Sequence, residues 1–159
     1  MTIRPITPAD DAALAGIVRS CLQAAGLDQP GTAYYDPELD HLSAYYAAAP
    51  DRAYFVATQQ AQVIGGIGIG DYDRTLGICE VQKLYLLPSA RGQHRGRQLL
   101  EYCEQQAKHL GWRQLYLETH TNLPVAIHLY ETAGYTRIAQ PLHPGPHTVM
   151  DHFYVKLLD

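Results

Sequence analysis

The sequence predicts one mixed α/β domain, and three observations support this. Its 159 residues, 47% hydrophobic and 18% charged, suit a single core that buries roughly 70% of the unfolded chain's surface. Segments with strand composition alternate with segments of helical spacing. A strand, an arginine-rich loop, a helix and a further strand follow one another, which is the order of a βαβ crossover with parallel strands. No repeat or linker divides the chain, so we expect one domain over residues 1–159.

The first half of the chain is predicted to form three strands and two helices. Residues 2–6 have strand composition, and Thr7, Pro8 and Asp10 then supply an N-cap, a first-turn proline and an N3 carboxylate. The helix that follows keeps one apolar face and ends near Gly26. That face consists of Leu14, Ile17, Val18, Cys21 and Leu22. The remaining predictions are a loop over 28–37, a helix over 37–49 closed by Pro50, and a hairpin of strands 53–58 and 63–69.

The second half is predicted to supply the centre of the sheet. Residues 78–87 are apolar on both faces, which is typical of a strand buried in the middle of a sheet. Residues 96–110 have helical spacing and end at Gly111. The other predicted elements are a strand over 114–119, a helix over 123–133 that ends at Gly134, and strands over 135–139 and 150–158.

Composition excludes several classes of protein. The net charge of -4 argues against nucleic-acid binding, which needs a basic face. The apolar run over 63–69 is far shorter than the roughly 20 residues of a membrane span, and no charged-then-apolar leader precedes Ile3. Cys21, Cys79 and Cys103 are widely spaced in apolar stretches, so we expect reduced core residues. These features predict a soluble, cytoplasmic protein. They leave the oligomeric state open, a homodimer included.

The charges are unevenly distributed along the chain. Residues 83–113 carry six basic and two acidic side chains, whereas the first 51 residues carry seven acidic and two basic ones. The basic stretch includes residues 91–97, a loop between the predicted central strand and a helix. Unpaired N–H groups at such a helix start, Gly92 and Gly96, and the positive end of the helix dipole together predict an anion site. A solvated basic helix start is the alternative. Neither GxxxxGK[ST] nor GxGxxG is present.

Residues 80–135 resemble the GNAT superfamily of acyl-CoA-dependent N-acetyltransferases. The stretch reads EVQKLYLLPSARGQHRGRQLLEYCEQQ and continues to LYLETHTNLPVAIHLYETAGY. The resemblance implies a central mixed, partly splayed β-sheet with helices on both faces. It also implies acetyl-CoA as co-substrate, no metal, and an amine acceptor.

The family's loop pattern is Q/R-x-x-G-x-G/A, whose amides hold the pyrophosphate of coenzyme A. By position the resemblance assigns cofactor binding to Arg91, Gly92, Gln93, His94, Arg95, Gly96 and Arg97, and the pantetheine arm to Leu84, Tyr85 and Leu86. Two positions depart from the pattern. His94 replaces the family's first glycine, and Leu123 replaces a common asparagine, for which the preceding Asn122 is the candidate substitute.

Acetyl transfer to an amine requires a base, because an alkylamine with a pKa of about 10.4 is protonated at pH 7. Glu80 is the first candidate, at the position of the catalytic glutamate in the histone-acetylating branch; the alternative is a structural carboxylate bonded to Lys83 or Arg113. Glu118 is the second candidate, at the base position of the branch that acetylates ribosomal-protein N-termini.

Tyr130 is the candidate acid. It lies in Leu-Tyr-Glu-Thr-Ala-Gly-Tyr, which resembles the family's LYExxGF, whose tyrosine protonates the coenzyme A thiolate. A core aromatic residue is the alternative. We expect a backbone N–H of Leu86 to polarise the thioester carbonyl.

The acceptor is the least constrained part of the prediction. Tyr34, Tyr35 and Asp36, with Glu38 and Asp40, are expected to wall the acceptor side and to favour a small cationic or amphipathic amine. His143, His147 and His152 are interpreted as part of a loop near the entrance to the acceptor site, rather than as a metal site. The predicted activity is N-acetyl transfer by direct attack in a ternary complex. A non-catalytic acyl-CoA sensor, or transfer of a longer acyl group, remains the alternative.

Overall fold

The protein, described here over residues 1–159 from a computed structural model, is built on a seven-stranded mixed sheet. Its order is β1-β2-β3-β4-β5-β7-β6. β4 and β5 are parallel and all other neighbours are antiparallel. The strands are β1 (Thr2–Pro5), β2 (Ala53–Gln59), β3 (Gln62–Asp73), β4 (Ile78–Leu86), β5 (Gln114–Thr119), β6 (Thr136–Ile138) and β7 (His152–Leu157). The predicted mixed sheet, with parallel strands around the arginine-rich loop and helix, is confirmed.

Four helices cover the two faces of the sheet, as expected. They are α1 (Asp11–Ala24), α2 (Leu42–Ala47), α3 (Arg95–His109) and α4 (Pro124–Thr132). α1 and α2 pack on one face in a cluster of 11 buried residues that includes Leu14, Leu42 and Tyr46. α3 and α4 pack on the other face in a cluster of 19 that includes Leu99 and Tyr130. None of the helices combines the length and apolar character needed to cross a membrane.

The second predicted helix is shorter than expected. Instead of a helix over 37–49, a 3-10 turn at Leu39–His41 precedes α2, which has only six residues. His41, the last residue of that turn and the N-cap of α2, has φ -139° and ψ 42°, which interrupts the helical backbone. Leu39, Leu42 and Tyr46 are buried on either side of this break. The prediction placed a helix in this segment but missed the break.

β3 carries glycines on the face that α2 covers. A Cβ atom at Gly66 would lie 2.5 Å from the Tyr54 ring, and one at Gly68 would lie 2.5 Å from the Tyr46 hydroxyl. At Gly70 the same atom would lie 2.5 Å from the Gln82 amide. Because side chains alternate between faces along a strand, these three glycines form one continuous floor. The side chains of Tyr54, Tyr46 and Gln82 pack against this glycine floor.

β4 and β5 pair over three residues only, Ile78–Glu80 with Gln114–Tyr116. β4 then continues to Leu86 alongside β3, while β5 continues to Thr119 alongside β7. The two parallel strands therefore separate after Glu80, and one edge of β4 is left without a strand partner. We call this gap the β4–β5 opening.

The N-cap group that the sequence predicted caps a 3-10 turn, Pro8–Asp10, which leads directly into α1. Asp10 Oδ2 accepts hydrogen bonds of 2.8 Å from both the N–H and the hydroxyl of Thr7. Arg4 donates to both carboxylate oxygens at 2.8 Å. The hydrogen bond from Arg4 is the main cause that lowers the pKa of Asp10, to about 2.

We expect Asp10→Asn to lower the free energy of unfolding at pH 7 by about 2 kcal/mol, since a pKa depressed on folding stabilises the charged state. The loss should be fully present above about pH 5 and should shrink as the pH falls to about 1, below both pKa values, where Asp10 is protonated in both states. Urea unfolding at several pH values measures this. Asp28→Asn, at an exposed carboxylate, is the control; equal effects of the two variants would contradict the prediction.

Candidate acyl-CoA cleft and active site

The helix start at the arginine-rich loop presents free backbone donors. His94 is the N-cap of α3, and the first bond within the helix runs from Gln98 N–H to the His94 carbonyl, 3.0 Å long. The N–H groups of Arg95, Gly96 and Arg97 therefore have no partner inside the helix. Gly96 allows α3 to approach α4, because a Cβ there would lie 3.3 Å from Leu129. This arrangement suits an anion.

The free edge of β4 adds a further donor. Leu87 N–H donates to the Ile64 carbonyl at 2.8 Å, which makes Gly65 and Leu86 a non-hydrogen-bonded pair of the antiparallel ladder. Both backbone groups of Leu86 consequently point away from β3. Its carbonyl accepts from Arg91 Nε at 3.3 Å and from Cys21 Sγ at 3.4 Å. Its N–H is directed to the β4–β5 opening, where the pantetheine arm is predicted to bind.

A cleft of about 960 Å³ joins these donors, at the upper end of the size range of small-molecule sites. Its walls are the free part of β4, the start of α3, the start of α4 and the end of α1. Of the predicted cofactor residues, it contains Leu84, Tyr85, Leu86, Arg91, Gly92, His94, Arg95, Gly96, Arg97 and Asn122. Gln93 does not line the cleft; its amide oxygen accepts from Arg95 at 2.6 Å.

The three arginines of the loop also stabilise it through hydrogen bonds to neighbouring protein groups. Arg91 donates to Cys21 Sγ at 3.3 Å as well as to Leu86, and so ties the loop to α1. Arg95 reaches the Ala90 carbonyl at 3.4 Å, and Arg97 pairs with Glu101 one turn later at 2.9 Å. These side chains hold the loop while remaining in the cleft wall.

The wall from α1 is a part of the site that sequence reasoning missed. Cys21, Ala24 and Ala25 face the cleft, and Asn122 Nδ2 donates to the Ala25 carbonyl at 2.9 Å. Asn122 therefore joins the α1 and α4 sides of the cleft. Nothing in the apolar spacing of α1 distinguishes a residue that faces a cleft from one that faces the core.

Glu80, the first candidate base, lies at the point where β4 and β5 separate. Its side chain is partly accessible but surrounded by protein, and burial raises its pKa. Gln82 Nε2 donates to Glu80 Oε2 at 2.6 Å, which opposes that rise, whereas the charge of Glu118 adds to it. Lys83, the partner in the alternative interpretation, pairs instead with Asp36 and Glu38.

Glu118, the second candidate, lies on the same face of the sheet. Glu80 is opposite Tyr116, and Glu118 is two residues further along β5, so their side chains share a face. The Tyr116 hydroxyl donates to Glu118 Oε1 at 2.7 Å. No cation pairs with either glutamate, so two unneutralised carboxylates lie beside the β4–β5 opening.

Tyr130 lies on the opposite face, within the α3–α4 cluster. Its side chain packs against the rings of Tyr135 and Tyr154, at centroid distances of 5.8 and 6.1 Å. Burial raises its pKa well above the ordinary value, so the hydroxyl stays protonated at neutral pH. The candidate acid and the candidate bases are thus on opposite faces, and the β4–β5 opening lies between those faces.

A buried ion-pair network borders the glutamate side. Lys83 has a left-handed φ of 49° where the β3–β4 register shifts, and its side chain is 3% exposed. Its Nζ lies 2.7 Å from Asp36 Oδ2 and 3.1 Å from Glu38 Oε1. His147 Nε2 lies 2.8 Å from Asp36 Oδ1. Lys83, Asp36, Glu38 and His147 therefore join β4 to the loop before α2 and to the loop before β7.

In this network the pKa of Asp36 is lowered and that of His147 is raised, so each shift favours the charged form of its group. Burial alone would raise the pKa of Asp36, but His147 and Lys83 lower it overall. Burial alone would lower the pKa of His147, but Asp36 raises it overall. The carboxylate predicted to contact the acceptor is therefore already engaged by the Lys83 ammonium group and the His147 ring. Of its neighbours, Tyr34 accepts from Gln23 at 3.1 Å, and Tyr35 is 60% exposed.

Comparisons with known proteins agree with this geometry. The model of the Acetyltransferase (GNAT) family matches residues 22–135. The chain belongs to the GNAT family. The resemblance noted in the sequence is therefore confirmed.

Two relatives of this GNAT chain show how far the similarity extends. Uncharacterized N-acetyltransferase YjgM of Escherichia coli K12 is 36% identical over 138 residues, which cover 86% of this chain and 82% of the relative. IAA acetyltransferase of Azospirillum brasilense is 35% identical over 102 residues, 64% of this chain and 66% of that protein.

Solved structures share the fold at lower identity. A GNAT-family acetyltransferase of Staphylococcus aureus Mu50 has a TM-score of 0.87 at 18% identity, covering 99% of each chain. The yncA protein of Salmonella typhimurium, solved with its cofactor acetyl-CoA, has a TM-score of 0.78 at 24% identity and covers 100% of this chain and 94% of that one.

The three clustered histidines of the GNAT chain have separate partners. His143 lies 3.1 Å from Asp73, His147 pairs with Asp36, and His152 lies 2.7 Å from Asp151. No three of the His, Cys, Asp and Glu side chains come close enough together to hold a metal ion. Cys21, Cys79 and Cys103 are free and buried, as expected.

His94 has a left-handed φ of 54° at an exposed position, a conformation that costs a residue with a Cβ about 1 kcal/mol. We expect His94→Gly to raise the free energy of unfolding by about that amount, because glycine adopts this backbone freely. Urea unfolding measures the change.

Gln93→Gly is the matched control, since Gln93 is exposed and has no positive φ; this variant should lower stability. If glycine at residue 94 destabilises the protein as much as glycine at residue 93, the backbone at His94 is not strained.

Proposed function

We propose that this GNAT protein transfers the acetyl group of acetyl-CoA to a primary amine by direct attack within a ternary complex. The observation that carries the proposal is the β4–β5 opening, with unneutralised carboxylates on one face of the sheet and Tyr130 on the other. The cleft fits coenzyme A, because three free N–H groups start α3 and the Leu86 N–H faces the same cleft. Acetyl-CoA supplies an activated thioester.

Glu80 is proposed as the base. An alkylammonium acceptor must lose a proton before it can attack, and a carboxylate with a raised pKa accepts protons more readily at neutral pH. Glu80 meets this requirement because burial and the charge of Glu118 raise its pKa. Glu118 is the second carboxylate of the site, held by Tyr116, and it attracts the cationic form of the amine.

The remaining roles fall to Leu86 and Tyr130. The outward N–H of Leu86 is proposed to stabilise the carbonyl oxygen as it becomes negative. The amine nitrogen forms a bond to the carbonyl carbon and the carbon–sulfur bond breaks. The departing thiolate takes a proton from the Tyr130 hydroxyl. The nitrogen loses its second proton as the amide forms, and that proton restores the Tyr130 hydroxyl by way of solvent, while the proton held by Glu80 returns to solvent.

The acceptor is proposed to be a small cationic amine, as the acidic first half of the chain predicted, but through different residues. Asp40 pairs with Arg19 at 2.7 Å, and Asp36 and Glu38 are engaged by Lys83. These carboxylates shape the acceptor side without offering free charge. The free negative charge belongs to Glu80 and Glu118, next to the proposed site of attack.

Binding and turnover measured in one preparation test the proposal. Calorimetry with acetyl-CoA should show binding, and thiol release should accelerate with amines that carry a second positive charge. Glu118→Gln should reduce the preference for dicationic over monocationic amines about fivefold or more, as expected for a lost partner near a surface. Asp28→Asn is the control. Binding without turnover on any amine would favour the acyl-CoA sensor.

Tyr130→Phe tests the acid. We expect kcat to fall roughly 10- to 1,000-fold while acetyl-CoA binding stays within twofold, because only proton donation to the thiolate is removed. Tyr102→Phe is the control, since that tyrosine lies on the neighbouring helix α3. Its ring packs against that of Phe55, with the ring centroids 5.1 Å apart. An unchanged kcat in the Tyr130 variant would contradict the assignment.

A further inference from the structure

The side chain of Gln82 packs against the bare backbone of Gly70. Gln82 follows Glu80 by two residues on β4, so both side chains lie on the face covered by α2. Gln82 lies over the glycine floor at Gly70, where any Cβ atom would overlap its amide group. The absence of a side chain at Gly70 therefore leaves room for the Gln82 amide beside the carboxylate of Glu80.

Tyr46 fixes the orientation of that amide. The Tyr46 hydroxyl, on a side chain only 2% exposed, donates to Gln82 Oε1 at 2.8 Å. A hydroxyl that donates to the amide oxygen leaves the NH2 group directed the other way, and Gln82 Nε2 indeed donates to Glu80 Oε2 at 2.6 Å. Gly68 makes room for Tyr46 in the same way that Gly70 makes room for Gln82.

We propose that Gln82, oriented by Tyr46, is a positioning residue that selects which oxygen of Glu80 receives the proton of the acceptor amine. Oε2 accepts the Gln82 N–H, so Oε1 is the oxygen left to accept the proton. This inference rests on the proposed function, in which Glu80 is the base. It adds two residues, from β4 and α2, to the machinery of the site.

Several other groups face Glu80, and the test must separate Gln82 from them. Glu118 and Tyr116 lie on β5, Lys83 follows on β4, Tyr72 lies on β3, and His147 lies in the loop before β7. Glu118 raises the pKa of Glu80, whereas His147 and Lys83 lower it. None of these groups donates a hydrogen bond to Glu80.

The decisive variant is Gln82→Met, which keeps the length of the side chain and removes its donor. Loss of a hydrogen bond to a carboxylate raises the pKa of that carboxyl, so the acid limb of the kcat/KM profile should move about one pH unit higher. On that limb the variant should be about tenfold slower than the wild type, with KM for acetyl-CoA unchanged. Tyr46→Phe should shift the limb in the same direction by a smaller amount.

Tyr45→Phe is the matched control, because Tyr45 is the neighbouring residue of α2. Its ring packs edge-on against the Tyr46 ring, with the ring centroids 5.0 Å apart. It should leave the profile unchanged. A ¹³C-NMR titration of the Glu80 carboxyl in the intact protein gives the same midpoint without turnover, and thermal melting verifies that each variant is folded.

Glu80→Gln separates failure of the inference from failure of the proposed function. If Glu80→Gln abolishes the acid limb and Gln82→Met leaves its midpoint in place, the inference is wrong and Glu80 remains the base. If Glu80→Gln is fully active with an unchanged profile, Glu80 is not the base and both proposals fall. A Glu80 NMR midpoint that does not move in folded Gln82→Met also overturns the inference.

Discussion

The separation of β4 from β5 after three paired residues is the constraint on which the rest of the structure depends. Two parallel strands at the centre of a sheet would ordinarily satisfy each other's backbone groups along their full length. Here the second half of β4 has a partner on one edge only. The exposed edge therefore needs donors and acceptors from elsewhere, which Arg91 and Cys21 supply for the Leu86 carbonyl.

The same separation organises the electrostatics of the molecule. Backbone donors at the start of α3 and three arginines occupy one end of the free edge, whereas the carboxylates of Glu80 and Glu118 lie where the strands part. In the proposed reaction, a donor molecule with phosphates and an acceptor with positive charge are thus drawn to different places. Lys83 adds no free positive charge to the glutamate side, because its buried ammonium group is paired with Asp36 and Glu38.

The sequence predicted well the order of elements and the position of the arginine-rich loop at the start of a helix, since both depend on local signals. Apolar spacing, the Thr7–Asp10 cap and the glycines around α3 each act within a few residues. Contacts between segments distant in the sequence could not be predicted from such local signals. The pairing of His147 with Asp36 joins residues 111 positions apart, and the charge of Asp36 alone gave no sign that it was already paired. Similarly, Gln82 is unremarkable in sequence, and only the folded glycine floor shows what holds it against Glu80.

The placement of Glu80 and Tyr130 on opposite faces of the sheet has a consequence for how products depart. In the proposed reaction, coenzyme A occupies the cleft between α3, α4 and the end of α1, whereas the acetylated amine lies on the side covered by α2 and its loops. Neither product then blocks the exit of the other. Release order is consequently set by the separate affinities of the two sides, and a slow exit of coenzyme A would limit turnover without trapping the acetylated amine.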